Sequence, residues 1–276
     1  MNKDVNQAHQ WRELADGFRI ITRGTVTVVE SIVLAEQGVK HAFCTRRGGV
    51  SEGFCGSLNV SAHERDDPAA VSENWRRLSH AFSLSREHVV TLRQVHGTRV
   101  VHGGKDPVGY SEPEADGIIT ALPGRACAIK TADCLPILLY DSRKRAVGAV
   151  HAGWRGTAAD IAARAVRHFE EFIGSSPSDV IAVLGPAIGP CCYEIDESVA
   201  THVKQREANM PALHYRGMGK WTFDLTLANE RQLLNAGIRR DAIFSVRLCT
   251  SCRKDLFFSY RRDGEKTGRQ LNFIVL

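Results

Sequence analysis

Two histidines and one cysteine stand at the borders of strand-like runs, where chemistry is easiest to build. His96 follows one run in Gln94-Val95-His96-Gly97, Cys134 lies just before one in Thr131-Ala132-Asp133-Cys134-Leu135-Pro136, and His151 closes one ahead of Ala152-Gly153-Trp154-Arg155-Gly156. Glycine, proline or a carboxylate borders each, and loops at strand ends carry sites on a rigid frame. Two imidazoles and a thiolate form a borderline-soft donor set that suits zinc and also accepts copper(I). Three protein donors leave a fourth position for water or substrate, the pattern of a catalytic zinc. Zinc so held lowers the pKa of bound water toward about 7. A second chemistry uses the same residues, with Cys134 as a thiolate nucleophile activated by His96 or His151. With 8 cysteines and 11 histidines in the chain, such a trio also arises by chance. Cys127, inside an apolar run, is expected to be core.

Other residues offer weaker signals. Gly153, Gly156 and a helix start at Thr157 present free backbone N–H groups beside Arg155, enough to hold an anion, although Thr157 as a simple cap explains them equally well. Arg46-Arg47 and Arg261-Arg262 give bidentate donors for phosphate or carboxylate. Cys249-Thr250-Ser251-Cys252 is a C-x-x-C with no second pair, which argues against a zinc knuckle. Adjacent Cys191-Cys192 point opposite ways if extended, a poor chelate. There is no Walker A sequence and no G-x-G-x-x-G. The P-C-x-x-C part of the zinc-deaminase signature is missing, and the absence of any H-x-H argues against a multicopper oxidase.

The elements that must position these residues read as follows. The alternation at Thr25–Val29 and the run Val39–Phe43 predict strands, and Pro68–Phe82, with Val71, Trp75, Leu78 and Phe82 on one stripe, predicts a helix. Short strands are expected at Val89–Leu92, Thr98–Val101 and Gly117–Thr120, then at Ala126–Thr131, Leu135–Tyr140 and Ala146–His151. A helix starting near Thr157 is expected to continue to Gly174. Val180–Leu184, Ile243–Arg247 and Asn272–Leu276 complete the strands, with helices at Glu197–Glu207 and Leu225–Ala236. Strands outnumber helices without alternating with them, so the expectation is one α+β domain over 19–276, with mixed sheets and helices outside. Residues 1–18 read as a polar N-terminal extension.

The chain has 276 residues, 43% apolar and 24% charged, which excludes wholesale disorder. No apolar run reaches membrane-span length and the N-terminus has no apolar signal region, so a cytoplasmic protein is expected, with its cysteines reduced. The net charge of +5 is scattered, which argues against nucleic acid. The expected partners are small molecules, and the expected assembly is a monomer or weak dimer.

Taken together, Thr45–Ser51, Leu58-Asn59, Gln94–Gly97, Ala115–Gly117, Thr131–Pro136, His151–Gly156, Gly185–Tyr193 and Phe258–Arg262 with Thr267–Arg269 resemble, in order, the laccase-domain family. That family was once called multicopper polyphenol oxidases. Its members are described as purine nucleoside phosphorylases and some as peptidoglycan editing factors. The resemblance runs from about residue 30 to the C-terminus. It implies a layered α/β/β/α sandwich, with His96, Cys134 and His151 as the metal-binding catalytic trio. It also implies phosphorolysis of adenosine, inosine and methylthioadenosine, together with adenosine deamination. Arg46, Asn59, Gln94 and Arg261 fall in motifs expected to line the pocket, and Asp133 is expected to serve as an acid or as the partner of a histidine. Three alternatives stay open: a cysteine- or metal-dependent hydrolase of peptidoglycan precursors, a copper polyphenol oxidase, and a non-catalytic metal or thiol protein.

Overall fold

The computed structural model describes residues 11–14, 17–62, 65–104 and 112–276. Two mixed sheets face each other. The first has seven strands, in the order Trp11–Leu14 (β1), Phe18–Arg23 (β2), Val26–Ser31 (β3), Lys40–Cys44 (β4), Gln270–Val275 (β16), Ala126–Thr131 (β8) and Val89–Val90 (β5). The second has six, in the order Ile243–Ser245 (β15), Val180–Leu184 (β11), Leu135–Asp141 (β9), Ala146–Ala152 (β10), Gly117–Thr120 (β7) and Val100–His102 (β6). Parallel pairs at β5/β8, β6/β7 and β11/β15 make both sheets mixed. A small third sheet orders Glu194–Asp196 (β12), Lys220–Phe223 (β14) and Leu213–Gly217 (β13).

Period-two alternation separates three cores. On β9, Leu138 and Tyr140 face the seven-stranded sheet, while Leu135, Ile137 and Leu139 face the outer helices. On β8, Cys127 and Ile129 point inward between the sheets and Ala126 and Ala128 point outward. Because both faces of β9 and β10 are covered, their seven residues are all buried, which explains why they read as continuous apolar runs. Each fully buried leucine or phenylalanine here contributes about 1.5–3 kcal/mol.

The helices form the outer layers. Pro68–Phe82 (α2, following Ile32–Glu36, α1) has the expected bounds, because Asp67 accepts the Ala69 N–H at 2.9 Å and Pro68 fits the first turn. Its Leu78 and Phe82 cover the outer face of the seven-stranded sheet. The opposite face is covered by Trp154–Ala158 (α3), Ile161–His168 (α4), Glu197–Lys204 (α5) and Leu225–Asn235 (α6). The α/β/β/α layering is therefore as expected.

Three expectations need correction. The single helix from Thr157 to Gly174 is two helices and a π turn, broken at Asp160, whose φ of +61° turns the chain. The first of them begins three residues early, at Trp154, with Gly153 as its cap residue, and Thr157 is not a cap. Its hydroxyl accepts from Asn229 (2.9 Å) and its carbonyl from Gln232 (2.7 Å) in the buried layer against α6. The segment read as an extension supplies β1, which pairs with β2 from Trp11↔Ile21 to Leu14↔Phe18; residues 1–10 and 15–16 lie outside the described residues.

Candidate functional site

Antiparallel pairing sets His151 on β10 opposite Pro136 on β9, so Cys134, two residues earlier, lies at the same sheet end. His96 comes from the loop between β5 and β6. The three donor atoms lie within 4.8 Å of one another, and Cys134 Sγ is 3.9 Å from His96 Nε2. Around a tetrahedral zinc, sulfur and nitrogen ligands stand about 3.6 Å apart, so the trio fits the ion with little movement. His151 is buried, Cys134 half-buried and His96 exposed, which leaves the fourth side open.

Asp116 organises the trio and was missed as a site residue, although it lies in Ala115-Asp116-Gly117. Fully buried, its carboxylate accepts from the backbone N–H of Val95 (3.3 Å), His96 (3.0 Å) and Gly97 (2.7 Å), and it bonds His151 Nδ1 at 2.8 Å. Three successive N–H groups can converge on one carboxylate because His96 adopts a left-handed φ of +58°. The bond to Nδ1 leaves Nε2 of His151 as the free ligand atom, the usual carboxylate–histidine–metal arrangement. Burial works against the charged carboxylate, but His151 and the backbone N–H groups hold its pKa below the ordinary aspartate value.

Burial also works against a Cys134 thiolate, yet the facing His151 and His96 rings bring it down to about 6. Burial disfavours a charged His151, which the Cys134 thiolate and Asp116 carboxylate nevertheless raise to about 9. Between those values the metal-free site is a thiolate–imidazolium pair, and a metal must displace the His151 proton. Zinc affinity is therefore expected to rise about tenfold per pH unit from about 6 to about 9, then level off. Below about 6 it should fall more steeply, because Cys134 must also lose a proton. Calorimetry in buffers of different ionisation enthalpy checks this by counting protons released per zinc.

Gly153 floors the site. A Cβ there would stand 3.0 Å from His96 Cδ2 and 3.1 Å from Cys134 Sγ, although its φ of −77° is open to any residue. Gly153→Ala should therefore fold with unchanged melting temperature while displacing two ligands, lowering turnover by about 10²-fold. Calorimetric melting beside steady-state rates separates the two effects.

The trio opens into a cavity of about 630 Å³, well sized for a small organic ligand. Of the other expected residues, Gln94, Asp133 and Arg261 line it, whereas Arg46 and Asn59 do not. The Arg46 guanidinium donates to the Gly56 carbonyl (2.7 Å) and lies over Phe258. Asn59 is fully buried, tying Ser61, Asp66 and Arg269 together. Gln94 is mainly a frame residue, exchanging two hydrogen bonds with the Lys130 backbone at 2.8 and 2.7 Å. Asp133, with φ +94°, accepts from the Thr250 hydroxyl and the backbone N–H of Arg261, both at 2.6 Å, so Asp116 and not Asp133 partners the histidine. Of the arginine pairs only Arg261 reaches the cavity: Arg47 pairs with Asp255, and Arg262 pairs with Asp263 and holds backbone carbonyls. Arg155 also lines it, stacked on Trp154. Tyr193, absent from the expected set, adds an aromatic face beneath Arg261. Burial, with the Cys134 and Asp133 charges, pushes its phenol up, so it remains a hydroxyl.

The two cysteine pairs dismissed from the sequence are also corrected. β11 and β15 run parallel, and a further bridge joins Ala187 to Cys249, so loops 60 residues apart in sequence meet. Cys191 and Cys192 sit in a turn rather than a strand, and all four sulfurs lie within 4.8 Å of one another.

Residues 40–276 match the family described as multi-copper polyphenol oxidoreductase laccase. The chain is 37% identical over 246 residues to purine nucleoside phosphorylase YlmD of Geobacillus stearothermophilus, covering 86% of this chain and 90% of that protein. It is 38% identical over 240 residues to purine nucleoside phosphorylase YfiH of Escherichia coli, covering 87% and 95%. The crystal structure of YlmD from G. stearothermophilus superposes with a TM-score of 0.86 at 34% identity, covering 96% of this chain and 98% of that one. The chain belongs to the multi-copper polyphenol oxidoreductase laccase family.

Proposed function

We propose that this chain is a cytoplasmic purine nucleoside phosphorylase acting on adenosine, inosine and methylthioadenosine, with adenosine deamination at the same site. The observation that carries the reading is the composition of the cavity wall: a His96/Cys134/His151 donor set with aromatic and apolar side chains and arginines lining the same cavity. The relatives named purine nucleoside phosphorylase support it.

A purine needs a flat apolar seat, which Tyr193 and Leu92 supply, and a phosphate needs cations not already committed to carboxylates. Arg93 pairs with Glu114 and Lys130 with Glu112, whereas the guanidinium groups of Arg155 and Arg261 make no ion pair among the described residues. These two arginines hold phosphate against the ribose anomeric carbon. As the phosphate oxygen bonds to that carbon, the glycosidic bond breaks and its electron pair leaves with the base, which takes up a proton. Positioning and compensation of the oxocarbenium-like charge carry most of the rate. His96, Cys134 and His151 would hold zinc, or copper, which supplies Lewis acidity at the wall when bound. Tyr193, kept as a hydroxyl, is a hydrogen-bond donor for the base or ribose.

Product analysis by chromatography with mass detection tests this on the metal-assayed protein. Purine release from each of the three nucleosides should require phosphate, and inosine should form from adenosine without it. No turnover in either condition, with metal present, contradicts the reading.

A second reading is favoured by one observation: Cys134, His151 and Asp116 form a thiolate–imidazolium–carboxylate line when no metal competes. It would make the chain a thiol hydrolase of amides in peptidoglycan precursors. Chelation separates the two, since metal removal should abolish phosphorolysis but activate a thiol hydrolase.

A further inference from the structure

We propose that Cys191, Cys192, Cys249 and Cys252 form a second metal site, binding one structural zinc ion as a tetrathiolate. The site is separate from the His96/Cys134/His151 set and shares no residue with it. Cys252 Sγ is 3.6 Å from Cys191 Sγ and 3.4 Å from Cys192 Sγ, and all four sulfurs lie within 4.8 Å of one another. Four thiolates around a tetrahedral zinc, at Zn–S about 2.3 Å, stand about 3.8 Å apart, so the cage is already near the required size. The spacings suit one ion, not an iron–sulfur cluster, whose thiolates bind different irons and so stand further apart.

The surroundings are built for sulfur. The Gly189 N–H donates to Cys249 Sγ at 3.3 Å. A Cβ on Gly189 would meet Cys191 Sγ and Cys249 Cβ at 3.4 Å each, so the turn packs directly on the cage. Arg262, itself paired with Asp263, donates to the carbonyls of Thr250 and Ser251 and so fixes the turn that carries Cys249 and Cys252. Cys191 and Cys252 are exposed, giving an ion a direct entry path. Without a metal, two exposed thiols in sulfur–sulfur contact would be an oxidation hazard.

The ion would staple two loops that shape the cavity. One runs from Ile188 to Tyr193, both of which line it. The other carries Thr250, whose hydroxyl fixes Asp133.

Metal analysis of the full chain, purified under reducing conditions, tests the proposal. Two zinc ions per chain are expected in the wild type, one in Cys252→Ser, and one in Cys134→Ala, the remaining ion being at the other site. Cobalt titration of Cys134→Ala adds a readout independent of both activity and folding of the cysteine-cluster variants. It should give intense sulfur-to-cobalt charge transfer with tetrahedral visible bands. A Cys252→Ser chain with the wild-type zinc content would overturn the proposal. So would a cobalt spectrum without thiolate bands, or two disulfides among these four cysteines by mass spectrometry.

Discussion

Cys134→Ala is expected to lose zinc from the His/Cys/His site and to lower nucleoside turnover by about 10³-fold or more. Removing the sulfur leaves two imidazoles, one exposed and one buried, which hold the ion far more weakly than three donors. Several kcal/mol of Lewis-acid stabilisation correspond to about three powers of ten in rate. The fold should be unaffected, because Cys134 is half-buried and belongs to none of the three apolar cores. Metal content, melting temperature and rate measured on the same preparation check all three parts. Wild-type turnover by a zinc-free Cys134→Ala protein would remove the trio from the mechanism.

Asp116→Asn should be nearly as damaging although Asp116 does not line the cavity. Its carboxylate is an acceptor for three backbone N–H groups and the His151 ring. An amide keeps one acceptor oxygen and replaces the other with an NH₂ donor, so at least one N–H must face another donor in a fully buried position. The loss of a buried, charged hub is expected to cost about 3 kcal/mol of stability. Without the carboxylate, His151 loses part of what raises its pKa and the bond that fixes its Nδ1, so zinc affinity should fall by about 10- to 100-fold. The pH dependence gives a sign that a merely destabilised fold would not. As the His151 pKa drops from about 9, the pH above which zinc affinity levels off should move down. Zinc titrations across pH on wild type and variant decide it, and an unmoved plateau would mean that Asp116 acts only on stability.

The parts of this site legible in the sequence were those whose neighbours are local. Cys134 and His151 sit at strand ends, and His96 in a strand-to-strand loop, each marked by glycine, proline or aspartate, and strands can be read from alternation. Asp116 was hidden because its partners are a backbone stretch about 20 residues away and a histidine 35 away, and no local pattern announces a buried acceptor hub. Asn59 and Arg46 were misplaced for the same reason: their types suit ligand binding, but backbone groups of the 56–61 and 269 segments occupy them. The break at Asp160 was invisible because the apolar stripe continues across it from Ala158 to Ile161. The cysteine cluster depends on a parallel pairing of β11 with β15 that no spacing encodes.

Phosphorus NMR of zinc-loaded protein with adenosine and inorganic phosphate tells phosphorolysis at the His96/Cys134/His151 site from every other outcome. A sugar phosphate signal should grow in step with free adenine, with no such signal from Cys134→Ala. Adenine released without a phosphorylated sugar, or the same signal at wild-type rate from Cys134→Ala, would contradict phosphorolysis at that site.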